Sequence, residues 1–115
     1  MPALPDTVVV LFDGFDDLDA VAPVEILTAA GFPVRVLGAP GTRGRIRSAH
    51  GLDISVDPLE PEPPGLAVLP GGGWLHGTGV REQCRGPLPA LLASWYAAGT
   101  VIGSVCTGAM LLAAA

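Results

Sequence analysis

The chain has 115 residues, half of them apolar and 15% charged, and its 6 basic against 11 acidic side chains give a net charge of -5. That is room for one domain, 1–115, with one modest core. The only basic cluster, Arg43, Arg45 and Arg47, alternates along a predicted strand, which argues against a nucleic-acid partner, because neutralising phosphates needs many cations on one face.

The elements follow in chain order. Thr7-Val8-Val9-Val10-Leu11-Phe12 is an unbroken apolar and β-branched run, the pattern of a parallel strand covered on both faces. Asp13 to Asp17 is the loop after it. From Leu18 to Ala30 the pattern turns helical, with Leu18, Val21, Ala22, Ile26 and Ala29 on one face and Gly31 ending it. Pro23 is tolerated near a first turn, so the helix proper is expected to begin around Val21 or Ala22. Pro33 to Gly38 is a second strand. Gly44 to Ser48 and Leu52 to Val56 alternate around His50-Gly51 and read as a small hairpin with one wet face. Asp57 to Gly65 holds four prolines and reads as loop or very short strand. Leu66 to Leu69 is a short buried strand that runs into Pro70-Gly71-Gly72-Gly73-Trp74. Pro87 to Ala98 is a helix, with Leu88, Leu91, Leu92 and Trp95 at helical spacing. Thr100 to Ser104 is the last strand, followed by Cys106-Thr107-Gly108 and the start of an apolar helix. The order predicts an α/β fold, a mostly parallel sheet with helices on both faces.

Ligands in open parallel sheets bind at the carboxyl ends of the strands. Three candidate groups lie just past such ends: the acidic loop before Asp19, the Gly71-Gly72-Gly73 loop, and Cys106-Thr107. A cysteine where a strand breaks sharply into a helix is the thiol counterpart of a nucleophile elbow, and the helix-start N–H groups favour a thiolate. Glycine lets the main chain approach closely, so the N–H groups of Gly72 and Thr107 are candidate donors to a developing anion. Asp16, Asp17, Asp19 and Glu25 are the acids within reach as proton carriers, with Asp16 and Asp17 expected to be solvated or capping the helix. Cys84, in a polar stretch, is expected to be surface or structural, and His50 and His76 loop residues. Neither cysteine has a Cys-x-x-Cys spacing and the two histidines are isolated, so no metal site is expected. No basic segment followed by an apolar one opens the chain, and the longest apolar stretch is shorter than a membrane span. The expectation is a cytoplasmic location, with no membrane partner and both thiols free.

Three blocks together resemble the ThiJ/PfpI family of the class I glutamine amidotransferase-like, flavodoxin-like fold, and within it the isonitrile hydratase-like branch. They are Val8 to Phe15 continuing through Leu18-Asp19-Ala20-Val21-Ala22-Pro23 to Leu27, then Val68-Leu69-Pro70-Gly71-Gly72, then Ser104-Val105-Cys106-Thr107-Gly108. The family's nucleophilic cysteine falls on Cys106 and its acidic partner on Asp19. Its oxyanion donors fall on the backbone of Gly72 and Thr107. In that branch a threonine follows the cysteine, as Thr107 does here, and no residue matches the separate histidine of other branches. The resemblance implies a lyase-type hydration of a small-molecule electrophile such as an isonitrile, no cofactor, and a homodimer. Family members are roughly half as long again or more, the size of an ordinary α/β domain. The resemblance therefore implies a C-terminally truncated member, incomplete beyond the elbow. Two alternatives stand beside an enzyme: a non-catalytic ligand-sensing domain like those of AraC-type transcription regulators, and an inactive truncated remnant.

Overall fold

The structure, a computed structural model, describes residues 3–75 and 77–115; His76, expected in a loop, lies outside the described residues. Seven strands form: β1 (Thr7–Leu11), β2 (Val34–Gly38), β3 (Arg45–Arg47), β4 (Asp53–Ser55), β5 (Asp57–Pro58), β6 (Leu66–Leu69) and β7 (Val101–Ser104). Five of them make a sheet in the order β5-β2-β1-β6-β7, and every pairing in it is parallel. β3 and β4 form a separate antiparallel hairpin, with Ile46 opposite Ile54 and Arg47 opposite Asp53. Its arginines point out and Ile46 points in, the alternation the sequence predicts. The prolines of the following stretch leave only two residues of β5.

β1 is central because its sequence suits nothing else. All five of its residues are buried, and successive strand residues face opposite sides of a sheet, so both its faces are covered. Phe12 and Phe15 continue the core beyond it, joined by Ala67, Leu69, Leu92, Trp95 and Leu111. The helices are α1 (Asp17–Ala29), α2 (Val80–Cys84), α3 (Leu88–Ala97) and α4 (Ala109–Ala114), with a 3-10 turn at Cys106–Gly108 before α4. In α3 the residues Leu88, Leu92 and Trp95 are buried as their spacing predicts.

Two expectations for α1 need correction. The helix begins at Asp17, not at Val21 or Ala22. Asp16 is its N-cap, with the side chain accepting from the N–H of Leu18 at 3.1 Å and of Asp19 at 3.5 Å, so the cap rather than Pro23 sets the start. Pro23 then lies inside the helix, where it has no N–H to give to the carbonyl four residues back, that of Asp19. The phase also differs. Leu18, Val21 and Ile26 are exposed, while Ala20 is buried and Val24 and Leu27 pack on the core. The helix is apolar nearly all round, so periodicity alone does not say which side faces in. α2 is an element that the sequence does not predict; five residues are too few to show a helical period. Among the described residues no helix is long and apolar enough to cross a membrane.

Candidate active site

Three adjacent parallel strands, β1, β6 and β7, deliver three loops to one edge of the sheet. The loop after β1 meets the glycine loop after β6 directly: the Asp16 N–H donates to the Gly71 carbonyl at 2.8 Å, and the Gly71 N–H donates to Asp19 Oδ2 at 3.2 Å. The glycine loop meets the turn after β7 just as closely, with the Gly72 N–H donating to Thr107 Oγ1 at 2.9 Å. Just before these loops diverge, the Val105 N–H donates to the Leu69 carbonyl at 2.9 Å.

Gly71 is the hub. A Cβ at this residue would stand 2.8 Å from Asp19 Oδ2, 2.8 Å from the Thr107 nitrogen and 2.8 Å from Thr107 Oγ1. The Asp19 carboxylate and the Thr107 N–H are therefore no further apart than twice that length, on either side of a glycine that fits because it has no side chain. Gly72 next to it has φ +120°, and a Cβ there would run into the Gly14 carbonyl and the Asp16 nitrogen. Its missing side chain is what lets the loop after β1 reach the glycine loop.

Cys106 has φ +54° and is, among the described residues, the one non-glycine residue in the left-handed region. A side chain there costs of order 1–3 kcal/mol and persists only where its surroundings impose it. The sulfur is free and the residue exposed. The sequence places Cys106-Thr107-Gly108 ahead of the apolar helix, and those three residues form a 3-10 turn before α4. As the second residue of that turn, Thr107 has an N–H with no acceptor inside the helix.

The structure thus brings Asp19, Gly72 and Thr107 together around Gly71, with Cys106 next to Thr107 in the 3-10 turn. It does not gather Glu25, which is exposed on α1. Cys84, on α2, is part-buried and its thiol is pushed up from its ordinary value by burial, in line with a structural role. Asp16 does cap α1. Asp17, expected to be solvated or capping, does neither. It accepts from Ser48 Oγ at 2.6 Å, and it holds His50 through the backbone N–H at 3.1 Å and the ring Nδ1 at 2.8 Å. The Ser48 bond first, with those of His50, holds the Asp17 carboxyl below its ordinary value of 3.8. Sequence reasoning missed Ser48 altogether and treated His50 as a plain loop residue, because the hairpin that carries them meets α1 only in the folded chain. Among the described residues no group of three or more His, Cys, Asp or Glu side chains is placed to hold a metal ion.

An apolar groove of about 460 Å³ opens beside Asp19, running along Leu18, Ala22 and Pro23 of α1 to Val68 and to Val105, the residue before Cys106.

Comparison with known proteins agrees with this geometry at the level of family. No curated protein sequence matches the chain. Solved structures do. A ThiJ/PfpI family protein from Pseudomonas syringae superposes with a TM-score of 0.79 at 20% identity, covering 97% of this chain and 46% of that one. A cysteine-to-alanine mutant of a DJ-1 superfamily protein from Salmonella typhimurium gives 0.77 at 23%, covering 95% and 59%. DJ-1beta of Drosophila melanogaster gives 0.76 at 22%, covering 96% and 60%. At such identities the likeness is one of fold, and the chain spans about half to three fifths of the length of these relatives. The DJ-1/PfpI family model matches residues 6–115, and on that match the chain belongs to the DJ-1/PfpI family.

Proposed function

We propose that the site is a cysteine-dependent one of the isonitrile hydratase type, acting on a small electrophile with a single electrophilic carbon. The observation that carries this reading is the strained Cys106, exposed at φ +54°, with the Asp19 carboxylate and Thr107 meeting across Gly71 beside it. The Cys106 thiol passes its proton to the Asp19 carboxylate, the sulfur adds to the isonitrile carbon, and Asp19 delivers that proton to the same carbon, giving a thioimidate. Water then adds to that carbon, the C–S bond breaks, the sulfur regains its proton, and an N-substituted formamide leaves. Thr107 supports the charged stage in two ways. Its N–H, at the start of the turn, has no acceptor inside the helix, and its hydroxyl, already accepting from the Gly72 N–H, keeps its own proton to donate. Gly72 acts through that hydroxyl rather than by direct donation. The groove from Asp19 to Val105 accommodates an apolar substituent on the isonitrile nitrogen.

The test is turnover of an alkyl isonitrile followed as formamide release. Cys106→Ala is expected to abolish it, and Asp19→Asn to lower it by a factor on the order of 10²–10⁴, the usual share of a positioned proton carrier. Unchanged turnover in Cys106→Ala rules the mechanism out. The occupied Gly72 N–H favours one second reading, a ligand-sensing domain without turnover. Saturable isonitrile binding by wild type with no formamide formed would select it.

A further inference from the structure

The loop after β1 is gripped from two sides. On one side lies the glycine loop; on the other lies the end of the β3–β4 hairpin. There the Gly14 N–H donates to the Arg47 carbonyl, the Ala49 N–H to the Phe15 carbonyl, each at 2.8 Å, and the Arg47 N–H to Asp13 Oδ1, also at 2.8 Å. The side-chain part of this grip is concentrated on Asp17. Its Oδ2 takes the Ser48 hydroxyl, and its Oδ1 takes both the backbone N–H and the ring Nδ1 of His50. Ser48 is itself fixed: it is buried and its Oγ accepts from the Leu52 N–H at 2.9 Å. Asp17 and Asp19 share the first turn of α1, whose capping is already supplied by Asp16. The Asp17 carboxylate is thus free of helix duty and serves to tie that turn to the hairpin.

We propose that Asp17, held by Ser48 and His50, is a positioning residue that sets Asp19 against the Gly71 N–H, and that protonation of His50 tightens this hold. The ring Nδ1 donates to Asp17 in either state, provided the neutral tautomer carries its proton there; only the imidazolium adds opposite charge. The groups around His50 favour that charge. These are Asp17 on α1 and Asp16 at its cap; the nearby Asp13 is engaged with the Arg47 N–H and Asp53 stands opposite Arg47 across the hairpin. Arg47 on β3 is a cation on the same hairpin, its Nη2 3.8 Å from where a Cβ of Gly51 would lie. The hydrogen bond to Asp17, then its charge, and lastly that of Asp16 hold the ring above its ordinary value of 6.5. The charge-assisted part of the hold is therefore complete below 6.5 and lost as the pH rises through the elevated folded value, while the neutral hydrogen bonds remain. On the acid side it is lost as the pH falls through the lowered value of Asp17, beneath 3.8.

The inference takes Asp19 as a site residue from the reading above, but its test does not use the chemistry of Cys106, so either can fail alone. A proton–nitrogen NMR titration of the whole 115-residue chain from about pH 5 to about pH 8 reads it, since histidine is the group that changes charge in that range. The Gly71 amide resonance is expected to move with the same midpoint as the His50 ring, above 6.5. Asp17→Asn should bring the His50 midpoint down toward 6.5, and His50→Gln should remove the inflection at Gly71 while its spectrum stays dispersed. A Gly71 resonance that stays flat while His50 titrates in wild type overturns the proposal even if a variant fails to fold. So does a His50→Gln protein that keeps the inflection.

Discussion

Cys106 and Gly71 show how single residues set this site. The left-handed backbone of Cys106 is a conformation in which a side chain costs about 1–2 kcal/mol over glycine. Cys106→Gly is therefore expected to melt above Cys106→Ala, by roughly 1 kcal/mol once the greater freedom of an unfolded glycine is offset, while both lose thiol reactivity at this position. Equal melting of the two variants would mean that the elbow stores no strain. Gly71→Ala is the converse case. Its Cβ would stand 2.8 Å from three polar atoms of Asp19 and Thr107, two of them fixed by hydrogen bonds to the glycine loop. The expected loss is on the order of 1–3 kcal/mol, as for other forced overpacking, read by urea unfolding. The convergence of the loops that carry Asp19, Gly72 and Cys106-Thr107 was legible in the sequence because each loop follows the carboxyl end of a predicted parallel strand, while the choice of Asp19 among the neighbouring acids came from the family resemblance. The role of Gly71 was not legible, since a glycine next to two others gives no sign of which one lies between the acid and the threonine.

At the scale of elements, α1 was legible as a helix but not in its start or its phase. Its first-turn signal was divided between Asp16 and Pro23, and its apolar residues run round the whole surface, so only packing on β1 and β2 picks out Ala20, Val24 and Leu27 as the inner side. The cap is the checkable part. Asp16→Ala removes the acceptor for the N–H groups of Leu18 and Asp19 and should cost about 0.5–2 kcal/mol. Asp16 is also near the glycine loop through its own N–H, a bond the substitution keeps, so a much larger loss would point to disturbance of that loop. The contact between hairpin and helix carried no sequence signal, because Asp17 and His50 are brought together only by the fold of the chain between them. Its pH signature is specific. Wild-type stability should decline relative to that of His50→Gln as the pH rises through the raised His50 value, with the two melting curves converging above it.

The whole molecule is built on a parallel sheet that the strand pattern predicts; the strand order, with the wholly apolar β1 between β2 and β6, and the hairpin's separation from the sheet emerge only in the fold. Nor did the pattern reveal how unevenly the sheet is covered. β1 is sealed on both faces, whereas β7 is, among the described residues, an edge strand paired only with β6, and its first residue, Val101, is 65% exposed. Leu18 and Ile26 on α1 are exposed to 71% and 65%, alongside the groove that ends at Val105. An unpaired apolar edge beside an open apolar groove is a template for pairing with another chain. The 115-residue chain by itself is therefore expected to associate in a concentration-dependent way. Val101→Lys places a charge on that edge and should shift sedimentation toward the monomer while leaving the melting temperature nearly unchanged, because an exposed side chain away from the core contributes little to folding. If Val101→Lys associates as wild type does, the contact lies elsewhere, and Ile26→Glu on the α1 side of the groove is the substitution that should then dissociate it.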